Sequence, residues 1–414
     1  MAGHRGAGRA ARLGCGPAAL LLAATVLTGL VGCGSRTTAD ASLAPVAQVL
    51  DRRGKAVLAH DESAYARTGG AGLDRAAGDR SRTEYRDLAG VPFGSWEYRV
   101  TGFHRTGTSA EAATELRYRI AGYDSAPVTT RRTVQLRRVQ GRWYVTSDRP
   151  ARGSSRQMWE QGRVSAVRGA RSLVLGTGQS RARLRDFAAL ADRAVPAVQG
   201  AWGRSWSRRL VLLVPRDLDG MAALLGSPAA GYRGIAAVTT GEAGGSRSAP
   251  ADRIVVNPDA YRVLADFGKQ VVLTHEATHV ATRAATSDAT PLWLSEGYAD
   301  WVGYRDSERT APRIAPELAR AVAAGRLPRE LPTDGDFGFS RAAGPLAEAY
   351  EGGWLACRMI ADHWGEQKLN DFYRAVGAHQ GRDGAVADAL HDVLGTTPAA
   401  FTHRWRDYLR AQLG

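Results

Sequence analysis

Two histidines in the middle of the chain constrain its fold more than any other feature. Residues 271–279 read Val-Val-Leu-Thr-His-Glu-Ala-Thr-His, so His275 and His279 stand four positions apart in a segment with helical periodicity. Four residues make one helical turn plus about forty degrees, which places both imidazoles on one face of a helix. The other faces of this segment are apolar, as expected for a helix that crosses a core. The pattern predicts a buried helix whose two imidazoles can bind one metal ion.

A second helical segment downstream offers a carboxylate. Residues 291–301 read Pro-Leu-Trp-Leu-Ser-Glu-Gly-Tyr-Ala-Asp-Trp, and Glu296 lies seventeen positions after His279. Two histidines leave a tetrahedral Zn²⁺ two ligands short, so that a carboxylate and a water molecule complete a catalytic site. Glu276 is rotated about a hundred degrees from His275 around the helix axis. It can therefore lie beside the metal without binding it and take a proton from the bound water.

Asp300 follows Glu296 by one helical turn and faces the same cleft. Its carboxylate can accept a hydrogen bond from the outer N–H of a ligating histidine, for which His275 is the expected partner. The alternative is that Asp300 caps or solvates its own helix.

The two segments together, His-Glu-Ala-Thr-His and Trp-Leu-Ser-Glu-Gly-Tyr-Ala-Asp, resemble the paired motifs of gluzincin metallopeptidases, in particular the Peptidase MA-like domain. The resemblance covers about residues 165–414. It implies a zincin-like fold, with a mixed sheet over the metal helix and a helical C-terminal half. It also implies Zn²⁺ as cofactor, His275, His279 and Glu296 as its ligands, and Glu276 as general base. A strand over residues 253–257 is expected to line the cleft and pair with an extended substrate.

A third segment, Ala-Tyr-Glu-Gly-Gly at residues 349–353, resembles the region from which related gluzincins supply a tyrosine. The resemblance implies that Tyr350 donates a hydrogen bond to the oxyanion that develops during hydrolysis. His363 is the alternative donor. The Gly-x-Met-Glu-Asn stretch of the aminopeptidase branch does not precede the metal helix, and this departure favours endopeptidase-type cleavage or a mode of cleavage that stays undefined.

The N-terminal segment has the composition of an export signal. It begins with arginines and no acidic residue, and an apolar run follows over residues 17–31, too short to span a bilayer comfortably. The run ends in Leu-Val-Gly-Cys, which resembles the lipobox of bacterial lipoproteins. The resemblance implies a signal peptide over residues 1–32, lipid on Cys33, a tether over residues 33–42 and a place on the extracytoplasmic face of the cell membrane. The alternative is a plain signal peptide with an incidental cysteine.

Residues 43–150 are expected to form a separate α+β domain. Apolar residues recur at helical spacing from 43 to about 67, and a loop is expected over residues 69–86. Three segments with alternating apolar and polar residues then predict an antiparallel sheet with one buried face. Helices followed by a curved sheet loosely resemble the cone-shaped fold of nuclear transport factor two. The whole chain is therefore expected to be α+β, with this small domain before the zincin-like one.

Charge and cysteine content narrow the possible partners. Lysine and arginine total 55 against 41 acidic residues, a net charge of +14, but no run of five or six clustered bases occurs. We therefore expect no nucleic-acid partner and favour loose attraction to acidic envelope polymers. Of three cysteines, only Cys357 would remain as a free thiol after cleavage and lipidation, which excludes an internal disulfide.

These features predict a membrane-anchored, extracytoplasmic zinc metallopeptidase that acts on a peptide or protein substrate. One alternative is a non-catalytic envelope lipoprotein that zinc stabilises and that serves as a binding or scaffold module. Another is zinc-dependent hydrolysis of a non-peptide amide, such as a cell-wall component. The oligomeric state is left open.

Overall fold

The structure, a computed structural model, describes residues 43–71, 74–240, 251–338 and 343–414. The signal peptide and lipidated tether expected from the sequence, including Cys33, lie outside the described residues. Within the described part of the chain, each helix is either too short or too polar to cross a bilayer.

Three helices and a four-stranded antiparallel sheet form the N-terminal part. The helices are α1 (Leu43–Leu58), α2 (Glu62–Thr68) and α3 (Arg75–Leu88). The strands are β1 (Phe93–Thr106), β2 (Ser109–Ile120), β3 (Val128–Val139) and β4 (Arg142–Pro150). Neighbouring strands pair in sequence order, so the sheet is a simple meander. Its alternating buried residues face α1, as the alternation in the sequence predicts.

Helix α3 occupies most of the stretch over which the sequence predicts a loop. The prediction of a loop over residues 69–86 is therefore wrong for residues 75–86. The Asp74 carboxylate accepts a hydrogen bond from the Ala76 N–H and caps the helix. The buried positions recur at helical spacing, but glycine and serine hold two of them, which hides the apolar period. These positions are Gly78, Ser81, Tyr85 and Leu88.

A five-stranded mixed sheet opens the C-terminal part. Its strands are β5 (Val164–Arg168), β6 (Ser172–Thr177), β7 (Leu210–Val214), β8 (Ala237–Thr239) and β9 (Ile254–Val256), in the order β5-β6-β7-β9-β8. Strands β6, β7 and β9 are parallel, and β5 and β8 pair antiparallel to them at the two ends. The first helices of this part are α4 (Arg181–Trp202) and α5 (Leu218–Leu225).

The strand expected to line the cleft is not the one that does so. Strand β9, at the predicted position, lies between β7 and β8, and both its neighbours are paired to it. Strand β8 ends the sheet within the described residues and lies against the helix that carries His275 and His279. The chain reaches β8 before β9 but places β9 inside, an order that the sequence pattern does not encode.

Helices make up the rest of the C-terminal part, which confirms an α+β chain with an antiparallel sheet and a helical C-terminal half. They are α6 (Pro258–Arg262), α7 (Asp266–Thr282), α8 (Leu292–Tyr304), α9 (Ala311–Ile314), α10 (Pro316–Ala323), α11 (Ala343–Trp364), α12 (Glu366–Ala378), α13 (Ala385–Leu394) and α14 (Pro398–Leu413).

Helices α8 and α11 touch backbone to backbone. A Cβ atom added to Gly297 would lie 2.3 Å from the carbonyl carbon and oxygen of Gly353. Any larger residue at Gly297 would have to push the helices apart. The contact brings Glu296 on α8 close to the helix that carries Tyr350.

The two sheets share a core. Val91 and Ile120 of the N-terminal part pack with Leu173 and Val211 of the five-stranded sheet. The division into domains 43–150 and 165–414 stays a prediction.

A buried ion pair joins the same two parts. The Asp124 carboxylate, in the β2–β3 connection, accepts two hydrogen bonds of 2.7 Å from the Arg253 guanidinium, and its side chain is fully buried. The Tyr123 hydroxyl and the Arg209 guanidinium add hydrogen bonds to backbone carbonyls across this boundary. The N-terminal sheet is therefore fixed to the strands beside the candidate site.

Candidate metal centre

Helix α7 presents two imidazoles to one point. His279 is 5% exposed and His275 is partly buried, while Leu273 and Ala277 are buried in the core on other faces of the helix. The Nε2 atoms of His275 and His279 lie 2.9 Å apart. Four-residue spacing on a buried helix therefore produces the convergence that the sequence predicts.

Helix α8 brings a carboxylate to the same point. Glu296 Oε2 lies 3.3 Å from His275 Nε2 and 3.6 Å from His279 Nε2. These are the three residues of the described chain whose ligand atoms form a candidate metal cluster.

The separations fit tetrahedral Zn²⁺. Zinc bonds of 2.0–2.1 Å at tetrahedral angles place neighbouring ligand atoms about 3.3–3.4 Å apart. The observed 2.9, 3.3 and 3.6 Å bracket this value. Two nitrogens and one carboxylate oxygen also leave a fourth position for water, which is the donor set of catalytic zinc sites.

Asp300 orients the imidazole of His275, which is more exposed than that of His279. Its Oδ1 lies 2.8 Å from His275 Nδ1. This contact favours a proton on Nδ1 and turns the Nε2 lone pair towards His279 and Glu296. The geometry is the one in which a carboxylate fixes the tautomer of a metal ligand.

Carboxylates dominate the electrostatics of the centre. Burial lowers the pKa of His275, but the charge of the Asp300 carboxylate and the hydrogen bonds that Asp300 and Glu296 accept from this imidazole outweigh burial and raise this pKa to about 10. Burial raises the pKa of Glu296, but His279 and His275 outweigh it and hold this pKa well below its usual range. Two carboxylates beside two imidazoles match the double charge of a zinc ion.

Glu276 is held beside the cluster by a residue that the sequence analysis missed. Glu276 is 5% exposed, and Thr239 Oγ1, on β8, lies 2.7 Å from its Oε2 and 3.1 Å from its carbonyl oxygen. Thr239 is fully buried. The hydroxyl fixes the orientation of the Glu276 carboxylate. No sequence signal links positions 239 and 276, because the contact depends on which strand lies against α7.

A second anchor holds β8 to the metal helix. The Arg283 guanidinium, just after α7, donates 2.6 Å to the Thr240 carbonyl and 2.8 Å to Asp252 Oδ1. Arg253 N in turn donates to Thr240 Oγ1. Arg283, just after the metal helix, is thus bonded to both ends of the β8–β9 connection, at Thr240 and at Asp252.

The centre opens into a cavity of about 330 Å³. Its polar lining consists of His275, Glu276, Glu296, Asp300, Tyr304 and Tyr350. The apolar lining comes from strand β8 and the two residues before it, from helices α7 and α8, and from Phe337. These residues are Ile235, Ala236, Ala237, Val238, Val271, Val272, Leu292 and Phe337.

The two candidate oxyanion donors lie in different places. Tyr350 lines the cavity, and its ring lies 5.1 Å from that of Phe337. His363, near the end of α11, stacks edge-on with Trp364 and Tyr408 and is not among the described residues that line the cavity. The geometry favours Tyr350.

A second cavity of about 570 Å³ continues from the first. The two share Ile235, Asp300, Tyr304 and Tyr350. Its far wall is largely apolar and includes Trp354. The two cavities are adjacent and together form a cleft that extends beyond the metal-binding residues.

No family model and no curated protein matches the chain. Three solved chains do. One is a mutant M1 zinc metallopeptidase from Deinococcus radiodurans bound to a Tyr-Ser-Ala substrate, 12% identical over 74% of this chain and 62% of that one, with a TM-score of 0.34. Another is a mutant two-domain M1 zinc metallopeptidase bound to L-arginine, 12% identical over 77% of this chain and 64% of that one, with a TM-score of 0.36. This chain spans less than two thirds of the length of either.

Proposed function

We propose that this protein is a zinc-dependent peptidase that hydrolyses internal bonds of a peptide or protein substrate. One observation carries the proposal: two imidazole nitrogens and a carboxylate oxygen converge beside the buried Glu276, at the floor of an open cleft. His275, His279 and Glu296 would hold the ion. When bound, Zn²⁺ supplies a Lewis acid that polarises the scissile carbonyl and lowers the pKa of water.

Glu276 acts as the general base. Its carboxylate takes a proton from the attacking water and passes it to the leaving amine. Thr239 supports this role because its hydrogen bond keeps the carboxylate from rotating away. A fixed base needs no reorganisation at the moment of reaction, which lowers the barrier.

Tyr350 stabilises the negative charge that develops on the carbonyl oxygen. Its position in the wall of the cavity that His275 and Glu296 also line supports this role. A phenol that is already positioned in a cavity interacts with the oxyanion more strongly than mobile water does.

Strand β8 offers a backbone edge to the substrate. It pairs with β9 on one side and ends the sheet in the part of the chain that the structure describes. An extended peptide can add to such an edge through main-chain hydrogen bonds. Ala237 and Val238 line the cavity, so a peptide on this edge would pass over the centre. The lack of a Gly-x-Met-Glu-Asn stretch before α7 supports endopeptidase-type cleavage.

We further propose that lipid on Cys33 holds the protein on the extracytoplasmic face of the membrane. The apolar run and the Leu-Val-Gly-Cys sequence support this location. The peptidase and the anchor are separate proposals, since either can hold without the other.

A cleavage assay tests the peptidase. Zinc-loaded protein is expected to cleave members of a peptide library, and a chelator should stop cleavage. Glu276→Gln should lower kcat at least a thousandfold while the bound zinc, measured by mass spectrometry, stays at one ion per chain. Glu308→Gln, at an exposed position, is the matched control and should leave kcat unchanged.

Two results would count against the proposal. Full activity in the Glu276→Gln variant would reject the mechanism. If the zinc-loaded protein cleaves no peptide but chelation strongly lowers its melting temperature, the metal serves stability and the non-catalytic alternative holds.

A further inference from the structure

The two hairpin turns at one end of the four-stranded sheet are strongly basic. They read His-Arg-Thr-Gly-Thr-Ser at residues 104–109 and Arg-Arg-Val-Gln-Gly-Arg at residues 137–142, with no acidic residue. We call these two turns the basic tips. Their arginines are all exposed: Arg105, Arg137, Arg138 and Arg142.

The basic tips lie side by side. Ser109 pairs with Arg137 across β2 and β3, and the Arg138 N–H donates a 2.7 Å hydrogen bond to the Thr108 carbonyl. Adjacent strands are about 4.8 Å apart, so four strands bring all four guanidinium groups to a patch on the order of 15 Å wide. The patch is therefore compact enough to face one surface.

Helix α1 begins at this end of the sheet. Val46, in its first turns, packs with Leu136 and Trp143 next to the basic tips, whereas Val57, in its last turn, packs with Leu116 at the other end. The chain therefore enters the described structure beside the basic tips.

The proposed lipid-bearing residue is close to this entry point along the chain. Leu43 lies ten positions after Cys33. An unstructured polypeptide of that length would span about 17 Å on average and at most about 35 Å. Lipid on Cys33 would thus keep the basic tips near the bilayer surface.

The opposite end of the same sheet carries the peptidase part. The β2–β3 connection is fixed there by the Asp124–Arg253 ion pair and by the shared core described above. A strand of 12 residues such as β2 is about 40 Å long. The described contacts between this sheet and the peptidase part therefore lie about one strand length from the basic tips.

We propose that helices α1–α3 and the four-stranded sheet form a spacer whose basic tips contact anionic phospholipid headgroups. The spacer holds the cleft on the order of 40 Å from the bilayer. Guanidinium groups bind phosphate oxygens in bidentate fashion, and each one near an anionic leaflet strengthens association about fivefold. The proposal rests on the lipid anchor at Cys33, because the anchor supplies the bilayer.

The test uses the full lipidated protein in lipid nanodiscs. Thr108→Cys places a thiol on an exposed tip residue for an environment-sensitive dye, and Cys357 is fully buried and should not react. A nitroxide on the lipid headgroups should quench the dye at least twofold in discs that contain phosphatidylglycerol, and not in discs of phosphatidylcholine alone. Salt at 1 M should remove the quenching, since the Debye length falls to about 3 Å. A dye on Gln380→Cys, in the helical half, should not be quenched in either disc.

Two variants, each with four charge-removing substitutions, distinguish an effect of the basic tips on quenching from an effect of the total charge. The quenching should be lost when glutamine replaces Arg105, Arg137, Arg138 and Arg142. It should persist when glutamine replaces four exposed arginines elsewhere: Arg168, Arg185, Arg204 and Arg313.

Each possible failure has a distinct signature. Equal quenching in both disc types, or quenching that survives loss of the tip arginines, overturns the contact with anionic lipid. Protection of the dye by a soluble poly(glycerol phosphate), in discs without anionic lipid, would assign the tips to a wall polymer instead. Intact mass reports the lipid on Cys33, and its absence would overturn the anchor and this proposal together. Peptide cleavage by the same discs tests the peptidase independently.

Discussion

Replacing Asp300 with asparagine tests the architecture of the metal centre most directly. The amide keeps the size of the side chain but removes the charge that lies 2.8 Å from His275 Nδ1. Loss of such a partner costs about tenfold to a hundredfold in metal affinity. That range corresponds to about 1.4–2.8 kcal/mol of binding free energy.

The pH dependence sharpens this prediction. In the metal-free protein the pKa of His275 is raised from 6.5 to about 10, so Zn²⁺ must displace a proton from this imidazole at neutral pH. The logarithm of the zinc affinity should therefore rise by about one per pH unit from pH 6.5 to pH 10 on account of His275. In Asp300→Asn the pKa of His275 should fall. The contribution of His275 to the slope of the logarithm of zinc affinity against pH should then disappear over this range.

The same shift predicts a stability effect in the metal-free protein. A raised histidine pKa stabilises the folded chain fully below pH 6.5, and the contribution is lost as pH rises through about 10. Asp300→Asn should remove it, so the melting temperatures of variant and parent should differ at pH 6 and converge near pH 10.

Competition titrations with a zinc-binding dye at several pH values measure the affinity. Asp306→Asn, an exposed aspartate beyond the end of α8, is the control with the same change in charge. If Asp300→Asn binds zinc as tightly as the parent with the same slope, Asp300 does not act on the metal ligand and the reasoning is refuted.

Three further substitutions test the supports of the site. Thr239→Val should lower kcat about tenfold with zinc content unchanged, because Glu276 loses its 2.7 Å partner, and Thr239→Ser should restore activity. Tyr350→Phe should lower kcat by a factor of about 100 with little change in KM, as removal of an oxyanion donor does; an unchanged kcat would exclude the role. Gly297→Ala should destabilise the fold by about 1–3 kcal/mol in urea denaturation, because its Cβ would meet the Gly353 backbone; no change would mean that α8 and α11 can separate freely.

The sequence predicts local parts of the site well. His275 and His279 lie on one helix, and their relative geometry follows from the four-residue spacing alone. The position of Asp300 one turn after Glu296 follows for the same reason. In such cases the backbone period fixes which side chains share a face, so no tertiary information is needed.

Features of the fold and of the site that depend on tertiary arrangement cannot be predicted from spacing along the sequence. The contact between Thr239 and Glu276 arises because β8, and not β9, lies at the end of the sheet against α7. The helix over residues 75–88 was missed because small residues hold buried positions where apolar ones are expected. Both failures reflect packing between distant segments, which overrides the local pattern.

The boundary between the two sheets has a practical consequence for how this protein can be dissected. A recombinant fragment that starts after Pro150 would lack Asp124 and leave the Arg253 guanidinium without its partner, at a cost of several kcal/mol. It would also uncover apolar side chains such as Leu173 and Val211 and invite aggregation. Lack of activity in such a fragment would then report misfolding and reveal nothing about catalysis, so point substitutions in the intact polypeptide are the informative route.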